Sequence, residues 1–339
     1  MNGSEEGAMT VRVVLTMGDP SGIGPEICAR ICNQNGLARN VALTLVGSGA
    51  VLKDICDRTD MPFPRISTVN HPVRSGCGLI DLDNINVGLT HRPAPTAECG
   101  RASLDYIRRA VREIQTGHGE ALVTCPINKK AIGLAGSEHP GHTEMLGDMT
   151  GTDRPVMLLV NDTLRVAFVT THVAIAALPE ALNQQEIIHT TSTFHTALQK
   201  QFDIKAPSMA VCALNPHAGD GGRFGDEEDG VIAPALERLR QGKISIEGPF
   251  PSDTLFARAV EGEYDGIVAM YHDQGMIPIK LSGLAEVVNV TLGLPFVRTS
   301  PGHGTAYDIA GRGVADPAST VRAITMAGDM ARPRKSGQI

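Results

Sequence analysis

The stretch Val11-Arg-Val-Val-Leu-Thr-Met-Gly-Asp-Pro-Ser-Gly-Ile-Gly-Pro-Glu26 sets the reading of the whole chain. Val11–Met17 is a short apolar run without polar alternation, as a strand covered on both faces requires. Glycines then break the run. Pro25 follows where a helix would open, because its missing N–H costs nothing in a first turn. Strand, tight turn and helix together make a βα unit. Val41–Val46, Glu120–Thr124, Val156–Leu159, Val166–Thr170, Met209–Leu214 and Gly266–Met270 read as further buried strands. Between them lie amphipathic helix candidates at Ala102–Gln115, Gln184–Lys200 and Gly230–Gln241. This alternation predicts an α/β fold with a largely parallel sheet, and no internal repeat or low-complexity linker interrupts it.

With 339 residues, 42% hydrophobic and 20% charged, the chain is long and apolar enough for two α/β domains or one large one. The net charge of −7, with no basic block interleaved with aromatics, argues against a nucleic-acid partner. No 18-residue apolar run is present, so no membrane span is expected. A small anionic substrate stays open, since a local group of cations can hold one. Met1–Thr10 is polar, lacks a signal-peptide core, and reads as a disordered lead-in or an appended remnant. Seven cysteines, an odd number with no CxxC pair, read as reduced thiols in a reducing, cytoplasmic compartment. Cys28 and Cys32, one helical turn apart, read as packing residues.

Glycine-rich, polar punctuation falls at strand ends, at Gly18–Gly24, Asn215–Gly222 and Ser300–Thr305. Ligands of open α/β sheets collect at the carboxyl ends of strands. Three of the eleven histidines share that context: His172, His217 and His272 each lie just past a strand candidate. Any one of them could simply bond nearby backbone. Their common placement points to three imidazoles around a divalent metal with an open position, suited to activating an alcohol. His142, in Gly141-His-Thr-Glu144, could expose a ring, the Thr143 hydroxyl and backbone N–H groups to an anion; capping of a helix by Thr143 fits equally well. The 17–26 turn is not a GxGxxG fingerprint. Its backbone, at Gly18, Asp19 and Gly22, either faces a cofactor or makes a plain strand–helix turn. Lys280, Asn289 and Arg298 stand at nine-residue intervals and suit a phosphate and a carboxylate, although singly each reads as a surface residue. His303-Gly-Thr-Ala-Tyr-Asp-Ile-Ala-Gly-Arg-Gly313, rich in small residues around His303 and Asp308, reads as a loop wrapped on a flat ligand.

From about Val11 to Ala331 the chain resembles the 4-hydroxythreonine-4-phosphate dehydrogenase family of vitamin B6 biosynthesis. Six stretches carry the resemblance in one order: Met17–Glu26, Gly141–Glu144, Thr170-Thr-His172, Asn215-Pro-His-Ala-Gly219, Tyr271-His-Asp-Gln-Gly275 and Asn289-Val-Thr-Leu-Gly-Leu-Pro-Phe296. The resemblance implies the fold of isocitrate and isopropylmalate dehydrogenases, two α/β domains flanking a cleft. The expected division is a cofactor-side domain at 11–128 plus 290–335 and a metal and dimerisation domain at 129–289. It implies metal ligands at His172, His217 and His272, shared between subunits of a homodimer, with Zn²⁺ favoured and Co²⁺ or Mg²⁺ as alternatives. Substrate contacts fall on His142, Thr143, Lys280, Asn289 and Arg298, with Lys280 and His142 as catalytic candidates. NAD, or NADP, is implied at the loop of His303, Gly304, Thr305 and Asp308, beside Gly18, Asp19 and Gly22.

The implied reaction is oxidation of a phosphorylated amino acid alcohol to a β-keto acid that then loses carbon dioxide. Paralogues that oxidise 4-phosphothreonate or 4-phosphoerythronate are the alternative, and a more distant one acts on a terephthalate dihydrodiol. Gly302 stands where many relatives carry Asp, and Ala176-Ala177 replaces a more polar pair. Both departures bear on cofactor or substrate choice. A metal-dependent hydrolase would need the histidines but not the loop at His303, and a catalytically silent binding protein would need neither.

Overall fold

The computed structural model describes residues 10–33, 40–283 and 287–332. The expected lead-in at Met1–Thr10, apart from Thr10, lies outside them, as do positions 333–335 of the expected cofactor-side domain. The strands are β1 (Val11–Thr16), β2 (Val41–Gly47), β3 (Ser67–Thr68), β4 (Cys77–Asp81), β5 (Ala121–Thr124), β6 (Val156–Val160), β7 (Arg165–Phe168), β8 (Met209–Cys212), β9 (Ile246–Phe250), β10 (Gly266–Ala269), β11 (Val288–Leu292) and β12 (Val297–Pro301). The helices are α1 (Gly24–Asn33), α2 (Gly49–Arg58), α3 (Ala97–Gln115), α4 (Lys129–Leu134), α5 (His142–Thr150), α6 (Leu178–Ala181), α7 (Gln184–Lys200), α8 (Ala233–Gln241), α9 (Ser252–Val260), α10 (His272–Leu281) and α11 (Ala318–Ala331). Contacts divide the chain into two compact units, one within Met1–Gly151 and Leu294–Ile339, the other within Thr152–Gly293.

In the first unit the strand order is β3-β4-β2-β1-β5-β12, with every one of these pairs parallel. Helix α3 packs on β1, β2 and β5, and α11 packs on β12, β1 and β5. Val13, Val14, Leu15, Leu122 and Val123 are wholly buried, which is why these strands read as unbroken apolar runs. The turn after β1 is built for close approach. At Gly24 a Cβ would sit 2.0 Å from the Met17 carbonyl, so only glycine fits. Buried Glu26 accepts from the N–H groups of Ala315 (2.7 Å) and Gly313 (3.2 Å), tying α1 to the segment before α11.

In the second unit the order is β11-β6-β7-β10-β8-β9. Here β7, β10, β8 and β9 run parallel, whereas β11–β6 and β6–β7 are antiparallel. The parallel expectation fails at this end of the sheet for a local reason. Only four residues separate Val160 from Arg165, and a turn that short can join strands in one sense alone. Asn161 Oδ1 closes the turn by accepting from the backbone of Thr163 (3.0 Å) and Leu164 (2.8 Å). Five strands beyond the expected seven are present: β3, β4, β9, β11 and β12. β9 holds Gly-Pro and β12 is mostly polar, so neither shows an apolar run.

Candidate active site

His172, His272 and His217 of the second unit follow neighbouring parallel strands, in the order β7, β10, β8. Strand pairing continues past the strand ends: Val169 N–H donates to Ala269 O (2.9 Å), and Thr170 donates to Met270 O through both N–H (3.1 Å) and hydroxyl (2.7 Å). This register brings the His172 and His272 rings to 6.2 Å between centroids. Thr171, His172, Ile175, Tyr271, His272 and Asp273 line one recess. His272 opens α10, and its Nδ1 lies 2.6 Å from Asp273 Oδ1, so Nε2 is the ring atom that could hold a metal. Gln274 accepts from Met270 N–H (2.6 Å) and donates to Ala213 O (2.6 Å) and Ser252 Oγ (2.8 Å). It thereby fixes the start of α10 against the ends of β8 and β10.

His217 sits in the loop after β8, in a left-handed run of His217 (φ 53°), Ala218 (54°) and Gly219 (79°). Such a run is strained at two non-glycine residues and needs a firm frame. Buried Glu228 supplies it: Oε1 accepts from the N–H groups of Leu214 and Asn215 (2.8 Å each), and Oε2 accepts from Asn215 Nδ2 (3.0 Å). The His217 ring neighbours Phe224, 6.4 Å away. Thus one chain pairs His172 with His272, and the three imidazoles do not form a single ligand group among the described residues. As a donor set, three neutral imidazoles fit a borderline cation such as Zn²⁺.

In the first unit the loop at His303 lies against the turn after β1. Tyr307 donates to Asp19 Oδ2 (2.6 Å), Ile23 N–H donates to Thr305 O (3.0 Å), and a Cβ at Gly22 would meet Thr305 O at 2.9 Å. Asp19 Oδ1 also accepts from Ser21 N–H (2.9 Å) and hydroxyl (3.1 Å). Burial pushes the Asp19 carboxyl up, against these hydrogen bonds. Gly18, at φ 75° and packed on Pro126 O, shapes the turn. His303 Nδ1 lies 3.1 Å from Gly304 O, while its Nε2 is buried with no partner; Gly304 and Asp308 are exposed.

His142 opens α5, so the helix is capped by Gly141 without any side-chain bond, and Thr143 lies inside the first turn with Glu144. Capping by Thr143 is therefore not its role here. Burial, and then the Arg298 cation, lower the His142 pKa well below its usual value. The ring is neutral, and its buried Nε2 has no hydrogen-bond partner. Arg298, on β12 and only 2% exposed, donates to Thr124 Oγ1 (2.7 Å), and burial lowers its pKa to about 10. It stays charged at neutral pH. In the second unit Asn289 lies on β11 with a buried Oδ1 that has no partner, and Lys280 occupies the last turn of α10. Buried side-chain atoms without a partner also occur elsewhere among the described residues, for example at Tyr106, Thr191 and Thr320, so they do not by themselves mark the site. The supporting residues Glu228, Gln274, Tyr307 and Thr124 were missed in the sequence. Gln274 and Tyr307 at least stand inside quoted motifs, whereas Glu228 lies in the plain acidic run Asp226–Asp229.

The family model of the pyridoxal phosphate biosynthetic protein PdxA matches residues 39–327. A 4-hydroxythreonine-4-phosphate dehydrogenase of Desulforapulum autotrophicum is 41% identical, over 92% of this chain and 93% of its own. A putative D-threonate 4-phosphate dehydrogenase of Bradyrhizobium diazoefficiens is 40% identical over 94% and 96%. Among solved structures, the 4-hydroxythreonine-4-phosphate dehydrogenase of Klebsiella pneumoniae superposes with a TM-score of 0.86 at 37% identity, covering 97% of this chain and 100% of that one.

Proposed function

This chain belongs to the PdxA family of pyridoxal phosphate biosynthetic proteins, and on that footing we propose that it is an NAD-dependent, divalent-metal-dependent dehydrogenase acting on a CH–OH group. Its substrate is 4-phosphohydroxy-L-threonine. Oxidation gives 2-amino-3-oxo-4-phosphooxybutanoate, which loses carbon dioxide to leave 3-amino-2-oxopropyl phosphate. The observation that carries this reading is the match to a 4-hydroxythreonine-4-phosphate dehydrogenase, 41% identical over 92% of this chain, and the buried, partnerless atoms His142 Nε2, Asn289 Oδ1 and His303 Nε2 are compatible with it.

His172, His217 and His272 would hold the metal, and the 303–308 loop with Gly18, Asp19 and Gly22 would hold NAD or NADP. When bound, the cation (Zn²⁺, or alternatively Co²⁺ or Mg²⁺) supplies Lewis-acid chemistry and the nicotinamide a two-electron acceptor. Arg298 and Lys280 hold the substrate's phosphate and carboxylate, since a fixed guanidinium binds such groups in bidentate fashion. Neutral His142 and the Thr143 hydroxyl complete the polar contacts, with Asn289 on the facing polar groups. Lys280, with His142 as the alternative, moves the proton at the substrate oxygen.

Assembly as a homodimer is supported by exposed Ile175, Ile277 and Leu281, which flank His172, His272 and Lys280. Seven free thiols fit a reducing, cytoplasmic setting. A second reading, oxidation of 4-phospho-D-threonate or 4-phospho-D-erythronate, is favoured by the 40% identity to the putative D-threonate 4-phosphate dehydrogenase. NADH formation with each of the three phosphorylated substrates, with Zn²⁺, Co²⁺ or Mg²⁺ supplied, decides between them. No NADH or NADPH from any of the three removes the dehydrogenase reading.

A further inference from the structure

A second group of ligand-type side chains lies in the first unit, away from every residue assigned above. His71 belongs to the segment between β3 and β4, Glu113 to the last turns of α3, and His118 to the turn that follows α3. Glu113 Oε2 is 2.9 Å from His71 Nδ1 and 3.0 Å from His118 Nδ1. The three atoms all lie within 4.8 Å of one another, and the two rings are 4.1 Å apart. Ligand atoms arranged tetrahedrally around zinc at its usual bond lengths are roughly 3.3 Å apart. The Glu113 contacts already lie close to that spacing, and drawing the two imidazoles together around a cation turns this arrangement into a coordination face.

The frame around the group is rigid. Arg109 Nε donates to Glu113 Oε1 (2.8 Å), which leaves Oε2 for the histidines, and Arg109 Nη2 also donates to Asn70 O, pinning the residue before His71. Gly117, at φ 77°, folds the chain back, and His118 N–H donates to Glu113 O (2.9 Å). The Glu113 side chain is only 4% exposed, while those of His71 and His118 are 59% and 42% exposed. An anion is thus sunk beneath two solvent-facing imidazoles at the negative end of a 19-residue helix, a place that favours a cation. Burial pushes the Glu113 carboxyl up, but the bonds from His71 and Arg109 outweigh it and hold it below its usual value.

We propose that His71, Glu113 and His118 form a second divalent-cation site of zinc type, open to solvent at its remaining coordination positions and separate from His172, His217 and His272. The Arg109 charge beside Glu113 weakens the site relative to a closed structural zinc site, so the cation exchanges. Two imidazole nitrogens and one carboxylate select Zn²⁺ or Co²⁺ over Mg²⁺.

Equilibrium dialysis of the full chain against Zn²⁺ at neutral pH, with metal counted by mass spectrometry, tests the site. The variant His71→Ala/His118→Ala is expected to bind one equivalent fewer per chain than the wild type, with an unchanged melting temperature in metal-free buffer. His172→Ala, made separately, reports the histidines of the second unit, so failure there is distinguishable from failure here. In that His172→Ala background, added Zn²⁺ still raises the melting temperature, and the further changes His71→Ala/His118→Ala abolish the rise. Equal zinc content in wild type and His71→Ala/His118→Ala would overturn the proposal, as would a zinc-dependent shift that survives both changes.

Discussion

At the scale of single residues, the first unit buries two neighbouring groups of unequal charge, a neutral imidazole at 142 and a guanidinium at 298. Folding lowers the His142 pKa from its usual 6.5, so the native state binds fewer protons than the unfolded chain below that pH. Its contribution to stability is intact above pH 6.5 and is lost progressively as the pH falls from there through the lower folded value. Urea unfolding of wild type and His142→Asn at several pH values is expected to diverge below that point, the wild type losing up to about 1.4 kcal/mol more per pH unit. Parallel profiles would show that the ring is not held neutral. Lys280→Met is expected to lower kcat by roughly 10²–10⁴-fold if Lys280 moves a proton. A raised KM with kcat intact would leave it as an anion ligand alone. His142, Lys280, Asn289 and Arg298 were legible as candidates because their types suit a phosphorylated acid. The burial of Arg298 was not, since it reads as an ordinary surface arginine until β12 places it inside.

At the scale of elements, the strands announced themselves wherever both faces are covered, as in β1, β2, β5 and β10. β12 escaped notice because it carries Arg298, Thr299 and Ser300, all buried, where an apolar run was sought. The left-handed conformation of the loop after β8 could not be read from the sequence, because its frame depends on Glu228, 13 residues beyond Asn215. Glu228→Ala leaves the N–H groups of Leu214 and Asn215 without an acceptor and is expected to cost about 3 kcal/mol. If the second unit holds a metal through His217 as proposed, zinc retained there should fall with it, as His217 loses its position. Glu228→Gln keeps one acceptor oxygen and is expected to recover most of the stability in chemical denaturation; equal losses for both variants would show that packing volume, not hydrogen bonding, is what Glu228 provides.

At the scale of the whole molecule, Ile277 and Leu281 stand four residues apart on α10, hence on one face, and both are exposed. If the proposed homodimer forms through this face, Leu281→Lys is expected to shift sedimentation from dimer to monomer with little change in the melting temperature of the separate subunit. An unaltered dimer would place the interface elsewhere. The first unit has a further property that bears on how the protein is made. Its sheet draws β1 from the start of the chain and β12 from near the end, and Tyr307 reaches back 288 positions to Asp19. On the ribosome, the second unit is complete as soon as its own residues emerge. Its elder neighbour must wait, with the β5 edge unpaired, until β12 emerges. Termination after Gly293 would thus release a chain that lacks β12 and the loop at His303 and whose exposed strand edge invites aggregation.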